Sequence, residues 1–448
     1  MMSRLKRWLA TVSVAFVAGC GGGDDPVNVL ETARNNQYTI LGEAVTTAGL
    51  TATLSGPGPF TVFAPTDAAF AALLAELGIT KAQLLADSAL LTKVLTYHVV
   101  PGEVKKASVP LGTAITTVQG GGFRVDSSAG ALVITDERGR TATITSTDTR
   151  ASNGVIHGID RVILPRGTVV EMAKANPVFS TLVEALVAAD LTSALSGSGP
   201  FTVFAPTNEA FAALLTELGL TKAELLANKP LLTEVLRYHV LSSRVVSSAV
   251  PLGLPITPLQ AGFFKVSATA SGLVITDGRN RTAKIVTADV NATNGVIHVI
   301  DRVILPANLD IVQTAAAIPD FSLLVEAVTA AGLGPILSQP GPFTVFAPTN
   351  AAFVALLTEL GTTKEALFAN RELLTQVLTY HVVAGNVLKA AVPTGTAVAT
   401  LAGPTQTLTV SPSLVITDQR GRTANIVATD VLTRNGVIHV IDRVILPN

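Results

Sequence analysis

The stretch that recurs most plainly in this chain is Gly58-Pro59-Phe60-Thr61-Val62-Phe63-Ala64-Pro65-Thr66, which returns as residues 199–207 and again as residues 341–349. The copies start at residues 58, 199 and 341, so they are 141 and 142 residues apart. Solenoid repeats have periods of about 20–50 residues. A repeat of the length seen here is long enough to be a complete domain with its own core. The sequence therefore predicts three similar domains in tandem.

Two further motifs recur in the same order and with the same period. The first is a Tyr-His pair, at residues 97–98, 238–239 and 380–381. The second is Asn-Gly-Val-Ile-His, at residues 153–157, 294–298 and 435–439, followed in each copy by a segment that ends in Pro. The next helical pattern begins a few residues after Pro165 and again after Pro306. We expect domains at residues 27–165, 166–306 and 307–448.

The composition excludes several classes of protein. Hydrophobic residues make up 48% of the 448 residues and charged residues 14%, with a mean hydropathy of +0.50. A disordered chain needs low hydrophobicity and high net charge, so disorder is excluded. The net charge is -1 and aromatic residues are 5%, which leaves neither a basic footprint nor a stacking platform for nucleic acid.

Residues 1–26 have the pattern of a leader that is removed or anchored. Three basic residues lie before an apolar stretch from Trp8 to Ala18, which is too short to span a bilayer as a mature helix. The stretch ends in Val17-Ala18-Gly19-Cys20, which resembles the bacterial lipobox. We expect a signal peptide at 1–19, lipidation of Cys20 that anchors the chain in the cell envelope, at the outer membrane or cell surface, and a flexible spacer at 20–26 that holds the first domain off that surface. An ordinary cleaved signal is the alternative, although Cys20 is the only cysteine and has no disulfide partner.

Within one copy the patterns change from helical to extended along the chain. In the second copy, apolar residues from Phe179 to Val187 follow helical spacing, and Thr202–Ala205 reads as a strand. Thr207 is a predicted N-cap, and Thr221 with Glu224 matches a capping box. Four strands are expected afterwards, at 264–266, 273–276, 283–287 and 296–305, with a hairpin connection at 277–281. Helices first and strands afterwards indicate an α+β class.

Together the Thr-Val-Phe-Ala-Pro-Thr box, the Tyr-His pair and the Asn-Gly-Val-Ile-His box resemble the fasciclin family, over essentially all of residues 26–448. The resemblance implies a wedge-shaped β-sandwich of about seven strands with helices packed along one edge in each domain. It also implies secreted or surface-anchored adhesion, with matrix proteins, glycans or other cell-surface molecules as partners.

The six histidines occupy only two kinds of position, which makes them the first candidates for a site. The histidines of the last box are His157, His298 and His439, each three residues before an aspartate: Asp160, Asp301 and Asp442. A His-carboxylate metal site is one possibility. However, residues three apart on a strand point to opposite faces. We therefore expect these six residues to be structural and expect no metal site.

The Tyr-His pairs leave two interpretations open. His239 lies on the helical stripe of Leu231 and Val235, which favours a core residue at the end of a helix. In animal matrix proteins that this chain resembles, the Tyr-His motif is implicated in integrin binding. The candidate adhesive motif is accordingly Tyr97, His98, Tyr238, His239, Tyr380 and His381.

Motifs for catalysis are weak in this sequence. There is no Gly-x-Ser-x-Gly elbow, and Gly120-Gly121-Gly122 lacks the Lys-Ser of a phosphate-binding loop. Asp67 becomes Asn208 and Asn350 in the later copies, which removes a general base but preserves a helix cap. Pairs of arginines in the hairpin connections are expected in a solvated loop or in contact with an anionic glycan. We expect no catalytic residue and no cofactor.

Three functions are compatible with these observations. A binding protein is favoured, because weak contacts gain from repetition whereas an enzyme needs only one good site. The alternatives are an envelope spacer without a defined ligand, and a hydrolase in which a single domain is active. The prediction is a lipid-anchored, non-enzymatic adhesion protein.

Overall fold

The computed structural model describes residues 27–77, 79–128 and 130–448. The predicted signal peptide at 1–19, the lipidation site Cys20 and the spacer at 20–26 lie outside the described residues. By contacts, the chain divides into two compact units, one ending at Pro165 and one comprising residues 166–448.

The first domain is helical before and just after its first strand, and then consists of strands. The helices of its described residues are α1 (Val29–Asn35), α2 (Thr39–Thr47), α3 (Thr51–Leu54), α4 (Asp67–Leu77), α5 (Lys81–Ala86) and α6 (Ser88–Tyr97). The strands are β1 (Phe60–Pro65), β2 (Val99–Pro101), β3 (Ala114–Thr116), β4 (Gly122–Ser128), β5 (Ala131–Thr135), β6 (Thr141–Ala151) and β7 (Gly154–Ile159). This order confirms the α+β class.

The second and third domains repeat this order. The helices of the second are α7 (Val169–Lys174), α8 (Ser180–Ala188), α9 (Thr192–Ser196), α10 (Asn208–Leu218), α11 (Lys222–Ala227) and α12 (Lys229–Tyr238). Its strands are β8 (Phe201–Pro206), β9 (Val240–Leu241), β10 (Pro255–Ile256), β11 (Phe264–Thr269), β12 (Gly272–Thr276), β13 (Thr282–Ala292) and β14 (Gly295–Ile300). Those of the third are α13 (Ile311–Ala316), α14 (Ser322–Ala331), α15 (Gly334–Leu337), α16 (Asn350–Leu360), α17 (Lys364–Ala369), α18 (Arg371–Tyr380), β15 (Phe343–Pro348), β16 (Val382–Ala384), β17 (Ala397–Thr400), β18 (Gly403–Val410), β19 (Val415–Thr417), β20 (Thr423–Thr433) and β21 (Gly436–Ile441).

Each domain has one seven-stranded sheet, and in the first domain the described strands run in the order β2-β1-β7-β6-β5-β4-β3. Strands β1 and β7 pair in parallel, and the other neighbours are antiparallel. The long strand β6 belongs to both halves of the sheet. Its pairing with β7 shifts register twice, between Ile144 and Thr149. Such bulges bend a strand, which lets the two halves of the sheet face each other.

The recurring box forms strand β1, whose largely apolar sequence suits a strand that is buried on both faces. Val62 and Ala64 pack against the helices, whereas Phe63 belongs to the core between the two halves of the sheet. The Phe63 ring meets Phe123 edge-on at 4.9 Å between centroids. Thr61 is buried, and its Oγ1 donates to Gly102 O at 2.7 Å and accepts from Val104 N at 2.8 Å. Each of the four central residues of the box, from Thr61 to Ala64, therefore has a packing or hydrogen-bonding role.

The local signals for helix starts are confirmed. Thr207 Oγ1 accepts from Ala210 N, and Thr221 with Glu224 forms a reciprocal capping box. In the third domain Ala366 occupies the position of Glu224, so Thr363 caps helix α17 without the reciprocal bond. An exposed cap of this kind contributes about 1 kcal/mol to helix stability.

The last predicted strand is too long. Strand β14 ends at Ile300, not at Leu305. Residues Ile304 and Leu305 are nevertheless buried, and their N–H groups donate to side chains: Ile304 N to His239 Nε2 at 3.1 Å, and Leu305 N to Asp277 Oδ2 at 2.9 Å. Side chains have replaced a neighbouring strand as hydrogen-bond partners, which the run of apolar residues in the sequence did not reveal.

The second and third domains contact each other within one compact unit. Lys265 of β11 forms an ion pair with Asp430 of β20 at 2.6 Å, with both side chains largely buried. Asn280 bonds both backbone groups of Leu432, at 3.1 and 2.7 Å. Phe263 packs in a small cluster with Leu388, Leu432 and Val437 of the third domain. These two domains therefore share a specific interface.

Candidate functional site

The Tyr-His histidines form the end of a helix and hold the last segment of their domain. His98 is the C-cap of α6, and its Nδ1 lies 2.8 Å from Val94 O. A carbonyl can only accept, so Nδ1 carries the proton, and Nε2 accepts from Ile163 N at 3.2 Å. The other copies have the same contacts: His239 with Val235 O and Ile304 N, and His381 with Val377 O and Ile445 N.

Burial determines the charge of these imidazoles. Desolvation lowers the pKa of His98, His239 and His381 to about 4, although the bond from each ring to a helix carbonyl opposes the shift. The rings are therefore neutral at neutral pH. With both nitrogens bonded to backbone, they offer no free donor or acceptor to a ligand.

The tyrosines of the pairs are equally enclosed. Tyr97, Tyr238 and Tyr380 are fully buried, and each hydroxyl donates to a backbone carbonyl across the sandwich: Gly122 O at 2.8 Å, Phe263 O at 2.5 Å and Thr407 O at 2.6 Å. Burial raises the pKa of Tyr380 to about 12 and raises the pKa of Tyr238 further. The candidate adhesive motif is thus brought together in each copy, but its side chains lie inside the domain.

The hairpin connection contains a buried carboxylate that sequence reasoning missed. Asp277 Oδ1 accepts from Arg279 N and Arg281 N, both at 2.9 Å, and Oδ2 accepts from Leu305 N. Asp136 and Asp418 make the same three bonds. Burial raises the pKa of Asp136, and the bonds from backbone N–H groups oppose that rise. The repeated Asp-x-Arg-x-Arg pattern was a visible signal, but its third partner is 28 residues away.

The second arginine of this pattern corrects the expectation of a solvated loop. Arg281 is largely buried, and it pairs with Asp277 at 2.7 Å and with Glu217 of α10 at 2.7 Å. The equivalent pairs are Arg140 with Glu76 and Arg422 with Glu359. A guanidinium held between carboxylates and helices is not available to an anionic glycan. The first arginine of each pattern instead donates Nε to the carbonyl of the closing proline.

The histidines of the last box bridge the bulged strand and a loop. His157 Nε2 donates to Val104 O at 2.8 Å, and its Nδ1 accepts from Asp148 N at 3.3 Å. His298 and His439 repeat both bonds. Burial lowers the pKa of His439. These contacts are those that a structural role requires.

The aspartates that follow are separate from these histidines. Asp160 is exposed, and its Oδ1 accepts from Thr143 N at 2.7 Å, while Asp301 and Asp442 accept from Lys284 N and Asn425 N. Among the described residues, no group of three or more His, Cys, Asp or Glu side chains is arranged to hold a metal ion.

The Asn-Gly dipeptide of the last box is a second feature that the sequence did not explain. Asn294 Nδ2 donates to Leu195 O and Gly197 O, and its Oδ1 accepts from Val169 N, so it joins the sheet to two helices. A Cβ on Gly295 would lie 2.2 Å from Phe201 O. Only glycine fits there.

The Asp67 position is also structural in all three copies. Asp67 Oδ1 accepts from Ile40 N in the first turn of α2, and Asn208 and Asn350 accept from Thr181 N and Leu323 N. Either side chain serves, as expected for a cap. The helices that these side chains cap are α2, α8 and α14, and not the helices α4, α10 and α16 to which the side chains themselves belong.

Comparison with known proteins agrees with this geometry. The model of the fasciclin domain matches residues 36–165, 177–306 and 319–447. The chain belongs to the fasciclin domain family. Its three tandem domains share the α+β fold with seven strands described above.

Relatives of this fasciclin chain occur in animals and bacteria. Transforming growth factor-beta-induced protein ig-h3 of Sus scrofa is 28% identical over 430 residues, which are 94% of this chain and 59% of that protein. Protein sll1483 of Synechocystis is 48% identical over 144 residues, 31% of this chain and 73% of that protein. The chain thus spans about three fifths of the pig protein.

A solved structure also matches this fasciclin chain. It is a FAS1 domain pair from the insect cell adhesion molecule fasciclin I, with a TM-score of 0.32 and 18% identity. The match covers 61% of this chain and 95% of that one. Within the described residues, no helix combines the length and the apolar character needed to cross a bilayer.

Proposed function

We propose that this fasciclin-family chain is a non-enzymatic adhesion protein that is anchored at the bacterial cell surface and binds matrix proteins, polysaccharides or other cell-surface molecules. The observation that carries the proposal is the use of the recurring polar residues. In each copy the Tyr, His and Asp side chains of the boxes are bonded to backbone of their own domain. These side chains are therefore not available to a partner, and a partner would have to contact the residues exposed at the surface of the domains.

Repetition supports binding over catalysis. Domains that each contact a partner weakly gain affinity when several of them reach one surface, because the later contacts are intramolecular. The contact between the second and third domains limits their relative motion, which lowers the entropy lost when both bind together.

The buried Tyr-His pairs would affect the binding of a partner indirectly, because they position exposed residues at the surface of the domain. The residue after each pair accepts a hydrogen bond, in all three copies at 2.8 Å, from the backbone N–H of an exposed aliphatic residue. These residues are Val118, Leu259 and Leu401, which bond Val99, Val240 and Val382 and are 43%, 36% and 41% exposed. We assign the adhesive contact of the motif to these three aliphatic residues, which we call the aliphatic knobs.

A binding array tests the adhesive role. The full chain is applied to immobilised matrix proteins and polysaccharides, beside a variant with Val118→Gln, Leu259→Gln and Leu401→Gln. The matched control carries Val187→Gln, Val354→Gln and Val427→Gln, which are exposed aliphatics elsewhere. We expect retention of the chain and of the control, and loss with the knob variant. If the unmodified chain binds none of the immobilised molecules, the result would favour an envelope spacer over an adhesion protein.

Anchoring is tested separately. Cells that express the chain are fed an alkyne-labelled fatty acid, and the label on the protein is compared with that on Cys20→Ser. Because Cys20 is the only cysteine, a label that persists in the variant contradicts lipidation at this site. Proteolysis of intact cells then reports whether the labelled chain faces outward.

A further inference from the structure

The third domain contains an apolar cavity that the adhesive function does not use. It has a volume of about 200 Å³ and lies between helices α16, α17 and α18 and the segment from Val444 to Pro447. Its wall is formed by Phe353, Leu356, Leu367, Leu374 and Leu446. An apolar protein cavity of about 150 Å³ stays dry and binds benzene. The space therefore suits one aromatic ring or a short alkyl chain.

The cavity is open to solvent at one end. Leu360 and Leu373 line it and are 47% and 37% exposed, so they form its rim. Exposed leucines beside an unfilled apolar space cost free energy that an apolar guest would recover.

Two polar residues at the cavity, His381 and Arg420, determine which polar group a bound molecule could have. His381 lines the wall, but both of its nitrogens are bonded to backbone. Arg420 is exposed at the cavity, and only its Nε is occupied, by Pro447 O at 2.8 Å. Its terminal nitrogens bond no group among the described residues. Among the described residues that line the cavity, none has a carboxylate side chain.

We propose that this cavity binds a small molecule with an apolar body and one carboxylate, such as a medium-chain fatty acid. The tail would occupy the space between the helices, and the carboxylate would take the two terminal nitrogens of Arg420. A planar guanidinium binds a carboxylate through two parallel hydrogen bonds, which an ammonium or a neutral donor cannot match.

Gln376 also lines the cavity and is uncharged, whereas the other two domains have a charged residue at the equivalent position. Four residues before the tyrosine, the third domain has Gln376, the second has Glu234 and the first has Lys93. A glutamate at this position repels an anionic head. The third domain is therefore expected to bind an apolar carboxylate more tightly than the second does.

Calorimetric titration of the full chain with octanoate, and with 1-octanol as the uncharged probe, tests this site. We expect saturable octanoate binding, weakened about tenfold in Arg420→Gln, as expected from the loss of a charged hydrogen-bonded pair. Octanol should bind Arg420→Gln and the unmodified chain alike. Gln376→Glu should weaken octanoate only, and the matched Arg279→Gln in the second domain should change neither probe.

Filling the rim locates the site. Leu373→Trp and, independently, Leu360→Trp replace half-exposed residues, so each is expected to fold, which the thermal midpoint reports. Both should abolish binding of the two probes. No saturable binding of octanoate, or unchanged binding in a folded rim variant, would overturn the site. Equal weakening of octanoate and octanol by Arg420→Gln would overturn the recognition of charge.

Discussion

The two histidines of the second domain are both buried, but in different surroundings. His239 lies between a helix end and the last segment of its domain, and the backbone groups that it bonds are themselves buried. His298 lies in the sheet and bonds a loop carbonyl and the N–H of a bulge, both only partly buried. The first joins the helical layer to the end of the domain, whereas the second holds a bend in a strand.

From this difference we expect that the loss of stability on removing a histidine depends on whether the backbone groups it bonded can then reach water. A buried polar group that is left without a hydrogen bond destabilises the fold by about 1–3 kcal/mol, whereas a group that water can reach destabilises it much less. The three-domain chain is a favourable system for measuring this, because the first domain, which is a separate compact unit, is an internal control for changes in the second. Hydrogen exchange of peptides from each domain reports the free energy of opening of each copy separately.

The largest effect is expected for His239→Ala. The change leaves Val235 O and Ile304 N without a partner in the core and creates a cavity, so the second domain should lose about 4 kcal/mol of stability. Protection of its slowest amides should fall accordingly, and protection in the first domain should not change. A loss below about 1 kcal/mol would contradict the account of this position.

Acid should have the next largest effect. The folded pKa of His239 is about 4, below the ordinary value of 6.5, so between these values the unfolded chain binds more protons. This contribution to stability is complete above about pH 6.5 and is lost as the pH falls towards 4. Because one pKa unit corresponds to about 1.4 kcal/mol, the loss of stability near pH 4 should be on the order of 3 kcal/mol for the second domain.

Exchange at pH 7, 5.5 and 4.5 measures the acid effect. The control is His239→Gln, in which the second domain alone should become less sensitive to pH. The remaining slope then belongs to carboxylates. An identical slope in the variant and the unmodified domain would show that His239 does not resist protonation.

A smaller loss is expected for His298→Ala. Val245 O and Asp289 N can be hydrated after the change, so the cost is mainly the lost ring packing against Phe204, about 2 kcal/mol. The same exchange experiment provides the comparison with His239→Ala. If the order of the two losses is reversed, the surroundings described for the two histidines do not control their contributions.

The smallest effect is expected for Tyr238→Phe. It removes only the hydroxyl that donates to Phe263 O and keeps the ring in the core, at a cost of about 1.5 kcal/mol. Amides of Phe264 and its strand neighbours should exchange faster, and those of α12 should not. Uniform destabilisation of the whole domain by more than His239→Ala would contradict this ranking.

Prediction from the sequence succeeded where the signal was local. The strand at Thr202–Ala205, the caps at Thr207 and Thr221 and the three-fold repetition depend on residues within a few positions of one another. It failed where the partner was distant. Asp277 and Asn294 bond residues 28 to 125 positions away, and no pattern in a single sequence links them.

The predictions of where the last strand ends and of a solvated Arg281 were wrong for the same reason. Residues 303–305 are an apolar, largely β-branched run like that of a strand, but Ile304 and Leu305 are held by His239 and Asp277. Arg281 is buried because Glu217 and Asp277 neutralise its charge. The surface side of the site was the least predictable part. Nothing in the pattern around Leu259 distinguishes an exposed aliphatic residue from a core one.

The central claim is that the Tyr-His pairs are closed inside the domains and hold them together, so that binding belongs to the surface around them. The most direct test is an NMR pH titration of the imidazole nitrogens of the full chain. We predict that His98, His239 and His381 stay neutral, with the proton on Nδ1, until the pH approaches 4. Titration of any of these three rings near pH 6.5, while the domain remains folded, would contradict the claim.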